Sequence, residues 1–194
     1  MISISNISGK AIIFSAPSGA GKTTVVKHIL KEIKNLSFSI SACSRKKRKN
    51  EINGKDYHFL ELNEFKNKIK AEEFIEWEEV YENNFYGTLK SEIIKLWEQN
   101  KHVIFDVDVI GGISLKKHFG DNAVSIFIEP PTIEVLEERL KSRNTDSKEA
   151  INTRINKAIE ELNYKKHFDY CIVNDDLNKT LKNAEKIIIE FLKK

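Results

Sequence analysis

Ser15-Ala16-Pro17-Ser18-Gly19-Ala20-Gly21-Lys22-Thr23-Thr24 is the stretch on which the reading of this chain turns. Before it, Ala11-Ile12-Ile13-Phe14 is a continuous apolar run of the kind seen in a parallel strand covered on both faces. After it, Val25, Val26, Ile29, Leu30 and Ile33 recur at helical spacing. Strand, glycine-bearing loop and helix, in that order, predict a phosphate-binding loop running from Ala16 to Thr24. Gly19 and Gly21 let main-chain N–H groups converge on a phosphate, and the helix start adds partial positive charge. Lys22 is spaced to reach β- and γ-phosphates, with the Thr23 hydroxyl as the metal ligand for Mg²⁺. One position departs from the pattern G-x-x-x-x-G-K-[ST]: its first glycine is Ala16 here, the smallest replacement available. The competing reading is an ordinary glycine-containing turn into a helix.

Composition narrows the setting. A chain of 194 residues with 40% hydrophobic content can build one α/β domain with insertions. No apolar run is long enough for a membrane span, and the start Met1-Ile2-Ser3-Ile4-Ser5 lacks the pattern of a secretory leader. The expectation is a soluble, cytoplasmic protein with no membrane partner. Cys43 and Cys171 are too isolated for a disulfide framework or a metal knuckle. A net charge of +3 gives no argument for nucleic acid. Of the 32 basic residues only Arg45, Arg48, Arg139, Arg143 and Arg154 are arginine. In a chain drifted toward Lys, Asn and Ile, these mark positions where planar, bidentate binding of phosphate or carboxylate is needed.

Along the chain, residues 1–36 form a first core segment with the loop. Ser37-Phe38-Ser39-Ile40-Ser41 alternates like a half-buried strand, and a basic loop from Cys43 to Glu51 follows. Tyr57-His58-Phe59-Leu60 reads as a strand, Leu62 to Lys70 as a helix, and Phe74 to Tyr81 as an alternating strand. Residues 37–90 thus read as a small mixed β insertion. The core resumes over 91–131 with a helix (Ser91 to Gln99), the strand Val103-Ile104-Phe105-Asp106, a helix (Ile110 to His118) and the strand Ala123 to Ile128. Residues 132–167 read as a helical pair, the first helix capped by Thr132 and the second running from Ser147 to His167. Residues 168–194 complete the core with the strand Tyr170 to Val173 and an amphipathic helix. Alternating β and α elements predict a doubly wound parallel sheet, so the fold class is α/β: a P-loop core, an inserted mixed β region and a helical lid.

A phosphate loop alone leaves ATPases, GTPases and many kinases open. The insertion adds Arg45, Arg48, Tyr57 and Tyr86, two guanidinium forks and two phenols able to hold a second phosphate. It also adds Ser41, Glu76 and Thr88, and with Asp108 these suit a guanine base. Guanine offers N1–H and N2–H₂ beside an O6 acceptor, whereas adenine would leave a carboxylate unpaired. Glu76 is the candidate carboxylate, and a solvated strand residue among Glu78, Glu79 and Glu82 is an equally good reading of its spacing. Asp106 and Asp108 are placed either to orient metal-bound waters or simply to cap a strand end.

The loop, Ser41 through Glu51, Gly54-Lys55-Asp56-Tyr57-His58-Phe59, Phe74-Ile75-Glu76-Trp77, Asn84-Phe85-Tyr86-Gly87-Thr88, Phe105-Asp106-Val107-Asp108, Pro130-Pro131, Arg139 to Thr145 and Asp169 to Asn174 resemble, in order, the motifs of guanylate kinases. The resemblance spans nearly the whole chain. It implies transfer of the ATP γ-phosphoryl to GMP, with Mg²⁺ and no nucleic-acid partner, by a monomer or homodimer. It further implies that residues 16–24 bind ATP, that Lys22, Arg45, Arg139, Arg143 and Arg154 act in catalysis, and that Asn174 lies on the adenine side. GMP would meet Ser41, Arg45, Arg48, Tyr57, Glu76, Tyr86, Thr88 and Asp108, with Glu51 bracing the arginines. The chain departs from the family pattern at Cys43, which stands in place of a Thr, and at Lys47, Asn50 and Asn144, where the Pro and Gly of the pattern shape loop backbone. Rival readings are a guanylate-kinase-like binding module, a kinase for another nucleoside monophosphate, a GTPase suggested by Asp108-Val109-Ile110-Gly111, and an RNA-binding basic loop. The intact Lys22-Thr23 pair opposes the first, and the lack of an N-K-x-D motif opposes the GTPase.

Overall fold

The computed structural model describes residues 9–142 and 148–194. The phosphate-loop strand β1 (Ala11–Ser15) is fully buried at the centre of a five-stranded parallel sheet, ordered β2-β7-β1-β8-β9. Its companions are β2 (Leu36–Phe38), β7 (His102–Asp106), β8 (Ala123–Glu129) and β9 (Tyr170–Val173). The period of two along β1 divides its side chains between two cores. Ile12 and Phe14 pack with Val25 and Ile29 of α1 (Lys22–Glu32) and with Ala184 and Ile188 of α7 (Leu177–Lys193). Ala11 and Ile13 pack with Ile93 and Trp97 of α3 (Lys90–Glu98) and Leu115 of α4 (Val109–Phe119). Helices therefore cover both faces, the arrangement a parallel sheet requires.

A second, mixed sheet has the order β4-β3-β6-β5, built from β3 (Ala42–Cys43), β4 (His58–Phe59), β5 (Phe74–Tyr81) and β6 (Asn84–Leu89). Helix α2 (Leu62–Lys70) seals one face of it, Phe65 stacking on Phe74 with ring centroids 4.4 Å apart. Helices α5 (Ile133–Ser142) and α6 (Lys148–Leu162) pack on each other through Leu136, Leu140, Ile151 and Ala158. As expected, the Thr132 hydroxyl caps α5, accepting from the Val135 N–H at 3.3 Å.

Two element boundaries are corrected. The alternation over Ser37 to Ser41 does not form one strand, and the insertion boundary expected at residue 37 falls inside β2. Phe38 is committed to the main core, so the chain stays with the parallel sheet through Phe38 and crosses to the mixed sheet only at Ala42. The helix expected to reach His167 ends at Leu162, and Lys165–His167 forms a separate 3₁₀ turn. Arg143 and the start of that helix at Ser147 lie outside the described residues.

Candidate active site

The loop after β1 turns on two glycines at φ 99° and 101°, Gly19 and Gly21, a conformation that side-chain-bearing residues rarely adopt. Each is also crowded. A Cβ on Gly21 would stand 2.3 Å from Asn174 Nδ2, and one on Gly19 would stand 3.0 Å from Leu136 of α5. Ala16 is buried in the core cluster beside Ala20 and Val25, so its methyl group has somewhere to go. Lys22 opens α1, donates to the Val107 carbonyl at 2.7 Å and forms an ion pair with Asp106. Thr23 Oγ1 donates to the same Asp106 carboxylate at 3.3 Å.

Asn174, expected on the adenine side, packs against the phosphate loop. It is buried, does not line the cavity, and donates from Nδ2 to the Ala20 carbonyl at 2.7 Å. Arg139 in turn donates to the Asn174 carbonyl at 2.9 Å, while its Nη1 is buried without an acceptor. Both residues brace the loop. The amide of Asn174 is already used on backbone, which is why it is not available at the cavity wall.

A cavity of about 490 Å³ runs from this loop to the mixed sheet. Its size is that of a small-ligand site. Along its wall stand Ser41, Tyr57 and Tyr86 from the insertion, Glu76 and Glu78 from β5, Asp106 at the end of β7 and Asp108 just after it, and Arg154, Lys157 and Glu161 from α6.

Behind the tyrosines, Arg45 grips Glu51 with two parallel bonds of 2.7 and 2.6 Å. Its Nε donates to the Tyr86 hydroxyl at 3.1 Å, and its guanidinium lies 4.9 Å from the Tyr57 ring centre. Glu51 also accepts from the Arg48 backbone N–H at 2.8 Å. The Arg45 fork, aided by that N–H, lowers the Glu51 carboxyl to about 2, and Glu51 reciprocally raises Arg45. Arg45, Arg48 and Glu51 do not themselves line the cavity, and Arg48 is exposed. Arg45 thus spends its Nε on Tyr86 and its two amino groups on Glu51 and the Lys46 carbonyl.

At the opposite end Glu76 and Thr88 face each other across β5 and β6, and Thr88 Oγ1 donates to Glu76 Oε1 at 2.7 Å. Thr88 is fully buried, so it positions Glu76 instead of lining the cavity. Asp108 caps α4, its Oδ1 accepting from Gly111 N at 2.7 Å. A Cβ on Gly111 would stand 3.1 Å from Asp108 Oδ1 and 3.2 Å from Glu76 Oε2. Glycine is what lets the two carboxyls share this helix start. Burial, with Asp108 adding to it against the Thr88 bond, pushes Glu76 up to about 7. Burial likewise raises Glu161 to about 7 despite Lys157 nearby.

The insertion, phosphate loop and α6 therefore bring Ser41, Tyr57, Glu76, Tyr86, Asp108 and Arg154 to one cavity. Several of its residues were not singled out from sequence: Glu78, Tyr81, Lys157 and Glu161. The strand period places Glu78 on the Glu76 face, and the spacing Arg154, Lys157, Glu161 is one helix stripe. Both signals are legible, but both also describe ordinary solvated faces.

A family model described as guanylate kinase matches residues 8–191. The chain is 50% identical over 186 residues to a guanylate kinase of Porphyromonas gingivalis, covering 95% of this chain and 99% of that protein. It is 50% identical over 183 residues to one of Bacteroides fragilis, covering 94% and 90%. The crystal structure of guanylate kinase from Anaplasma phagocytophilum superposes with a TM-score of 0.75 at 30% identity, over 94% of this chain and 86% of that one.

Proposed function

The chain belongs to the guanylate kinase family and is an enzyme of that kind, and from that premise we propose how its own residues carry the reaction. ATP sits with its phosphates on the loop from Ala16 to Thr24, and GMP lies toward the mixed sheet with its phosphate at Tyr57, Tyr86 and Arg45. The observation that carries this reading is the single cavity bounded by Gly19, Gly21 and Lys22 at one end and by Ser41 and Glu76 at the other. Two nucleotides lying in it from opposite ends would meet phosphate to phosphate beside Lys22.

The acceptor phosphate is anionic at neutral pH, so the reaction needs alignment and charge neutralisation more than a strong base. Lys22, now held by Asp106 and the Val107 carbonyl, exchanges those partners for the transferring phosphoryl oxygens. Arg154 lines the cavity from α6 and adds positive charge from the lid side. Arg139 supports the loop through Asn174, with its second amino group left for an ATP oxygen. Arg143 belongs to the same proposed lid set.

The donor set suits Mg²⁺. The Thr23 hydroxyl stands beside the Asp106 carboxylate, and among the described residues no cluster of three or more His, Cys, Asp or Glu forms an all-protein cage. Mg²⁺ keeps most of its waters and takes phosphate oxygens, so Thr23 as ligand with Asp106 orienting waters is enough. When bound, the ion neutralises charge on the ATP phosphates. Glu76 accepts from guanine N1–H and N2–H, while Ser41 serves O6. Arg45 and Lys47 are occupied by Glu51, which leaves the basic loop organised for a mononucleotide instead of a nucleic-acid polymer.

Two free cysteines fit a cytoplasmic setting, and among the described residues no helix is long and apolar enough to cross a membrane. A monomer or homodimer suffices, since every proposed site residue comes from one chain. The deciding experiment is an ADP-release assay with Mg-ATP against GMP, AMP, CMP, UMP and dTMP. Turnover confined to GMP is expected, and preference for another acceptor would overturn the base assignment.

A further inference from the structure

Glu78 has no part in the chemistry above, yet it faces the same cavity as Glu76, two residues along one face of β5. Trp77 between them points outward and is 47% exposed. The period of two places the carbons of Glu76 and Glu78 about 7 Å apart along the strand, roughly the width of a purine. Glu78 Oε2 is buried and receives no N–H or O–H donor. What the Glu78 carboxyl does meet is the carboxyl of Asp108. Two carboxylates only accept, so a bond between them exists only when one carries a proton.

The surroundings put that proton on Glu78. Asp108 has a donor already, the Gly111 N–H on Oδ1 at 2.7 Å, whereas Glu78 Oε2 has none. Burial and the charge of Asp108 both raise Glu78. The other groups facing this spot are Glu76 on the same strand and Arg154, Lys157 and Glu161 on α6. Of these Lys157 opposes the shift and Glu76 adds to it.

We propose that Glu78 is a positioning residue for guanine selection: its acid O–H donates to Asp108 and fixes that carboxylate so that a remaining lone pair faces the 2-amino group of the base. This rests on the reading of the Glu76 end as the guanine site. Asp108 is then tied at one oxygen by the start of α4 and at the other by β5. Such a carboxylate loses little further freedom on binding, and it meets the amino hydrogen that Glu76 leaves over. A nucleotide without a 2-amino group gains nothing from the arrangement.

The test is steady-state kinetics of the full chain with GMP and with inosine 5′-monophosphate, which lacks only the 2-amino group, for the native protein, Glu78→Ala and Glu78→Gln. Glu78→Ala is expected to raise KM for GMP about tenfold, to leave kcat within about twofold and to leave KM for the inosine nucleotide unchanged. Glu78→Gln, whose amide N–H₂ donates to Asp108 in place of the acid, is expected to restore the native preference. Thermal unfolding checks integrity, and Glu78→Ala should be at least as stable because it removes a buried acid. Equal losses with both nucleotides, no loss with either, or a Gln variant no better than Ala would overturn the positioning role. Glu76→Gln, run alongside, separates the two levels. If it too keeps full preference for GMP, the guanine reading itself fails and takes this proposal with it.

Discussion

Glu76 holds one oxygen against Thr88 and the other near Gly111, and burial raises its carboxyl to about 7. Guanine N1–H needs an acceptor, so the binding form is the carboxylate. Below pH 7 most of the free protein carries the proton and must lose it to bind GMP, so kcat/KM for GMP should fall about tenfold per pH unit there and level off above. A pH profile of kcat/KM between 5.5 and 8.5 checks the limb. In Glu76→Gln the limb should vanish and kcat/KM for GMP should drop by about two orders of magnitude or more, because the amide presents a donor where the base also donates. At this scale the sequence was unevenly legible. Gly19, Gly21, Lys22 and Thr23 could be read directly, because a phosphate loop is local chemistry written in consecutive residues. The bond of Asn174 to Ala20 could not, since it spans 154 positions and nothing near residue 174 announces it. Thr88 and Arg45 were legible as site candidates, but their bonds to Glu76 and Tyr86 were not, for the same reason.

Among the elements, α4 shows how a helix start can carry specificity. Its first turn offers the Gly111 N–H to Asp108, and the absence of a side chain at Gly111 lets Glu76 approach the same point. Gly111→Ala therefore pushes two carboxyls by a few tenths of an ångström while leaving a sound helix position, since alanine favours helix over glycine. The expected result is KM for GMP raised roughly tenfold, KM for ATP unchanged and an unfolding temperature equal to or above the native one. Kinetics with each substrate varied in turn, beside a melting curve, measures all three. Strand β5 carried its message openly in the alternation from Phe74 to Tyr81, which fixed both its length and the shared face of Glu76 and Glu78. Strand β2 did not. Ser37 to Ser41 alternates without a break, and only the parallel pairing of Phe38 with Ile104 shows where one sheet lets go of the chain.

Across the molecule, binding chemistry and folding stability pull on the same carboxyls in opposite directions. Glu76 and Glu161 stand at about 7 in the folded protein against 4.5 for the free side chain, and Glu78 is also raised. A raised acid stabilises the fold fully below pH 4.5, where both states hold the proton, and loses that contribution as pH climbs through the folded value. Glu51, lowered to about 2 by Arg45, has the reverse sign: its contribution is complete above pH 4.5 and disappears as pH falls toward 2. With these four groups the ligand-free protein should be most stable near pH 5 and should lose stability toward pH 8, the pH range in which the proposed guanine acceptor Glu76 is ionised. Guanine would supply the missing donors to Glu76, so GMP should bind the folded state most tightly where burial of that carboxylate costs it most stability. Melting curves from pH 4 to pH 8.5, with and without saturating GMP, should show the unfolding temperature falling above pH 5 without nucleotide and the GMP-induced rise growing over the same interval. A GMP effect that stays constant with pH would mean that the base does not rest on these acids. Because Lys157 and Glu161 reach the cavity from α6 while Glu76 and Glu78 reach it from β5, a ligand that fills it would also join the helical pair to the mixed sheet.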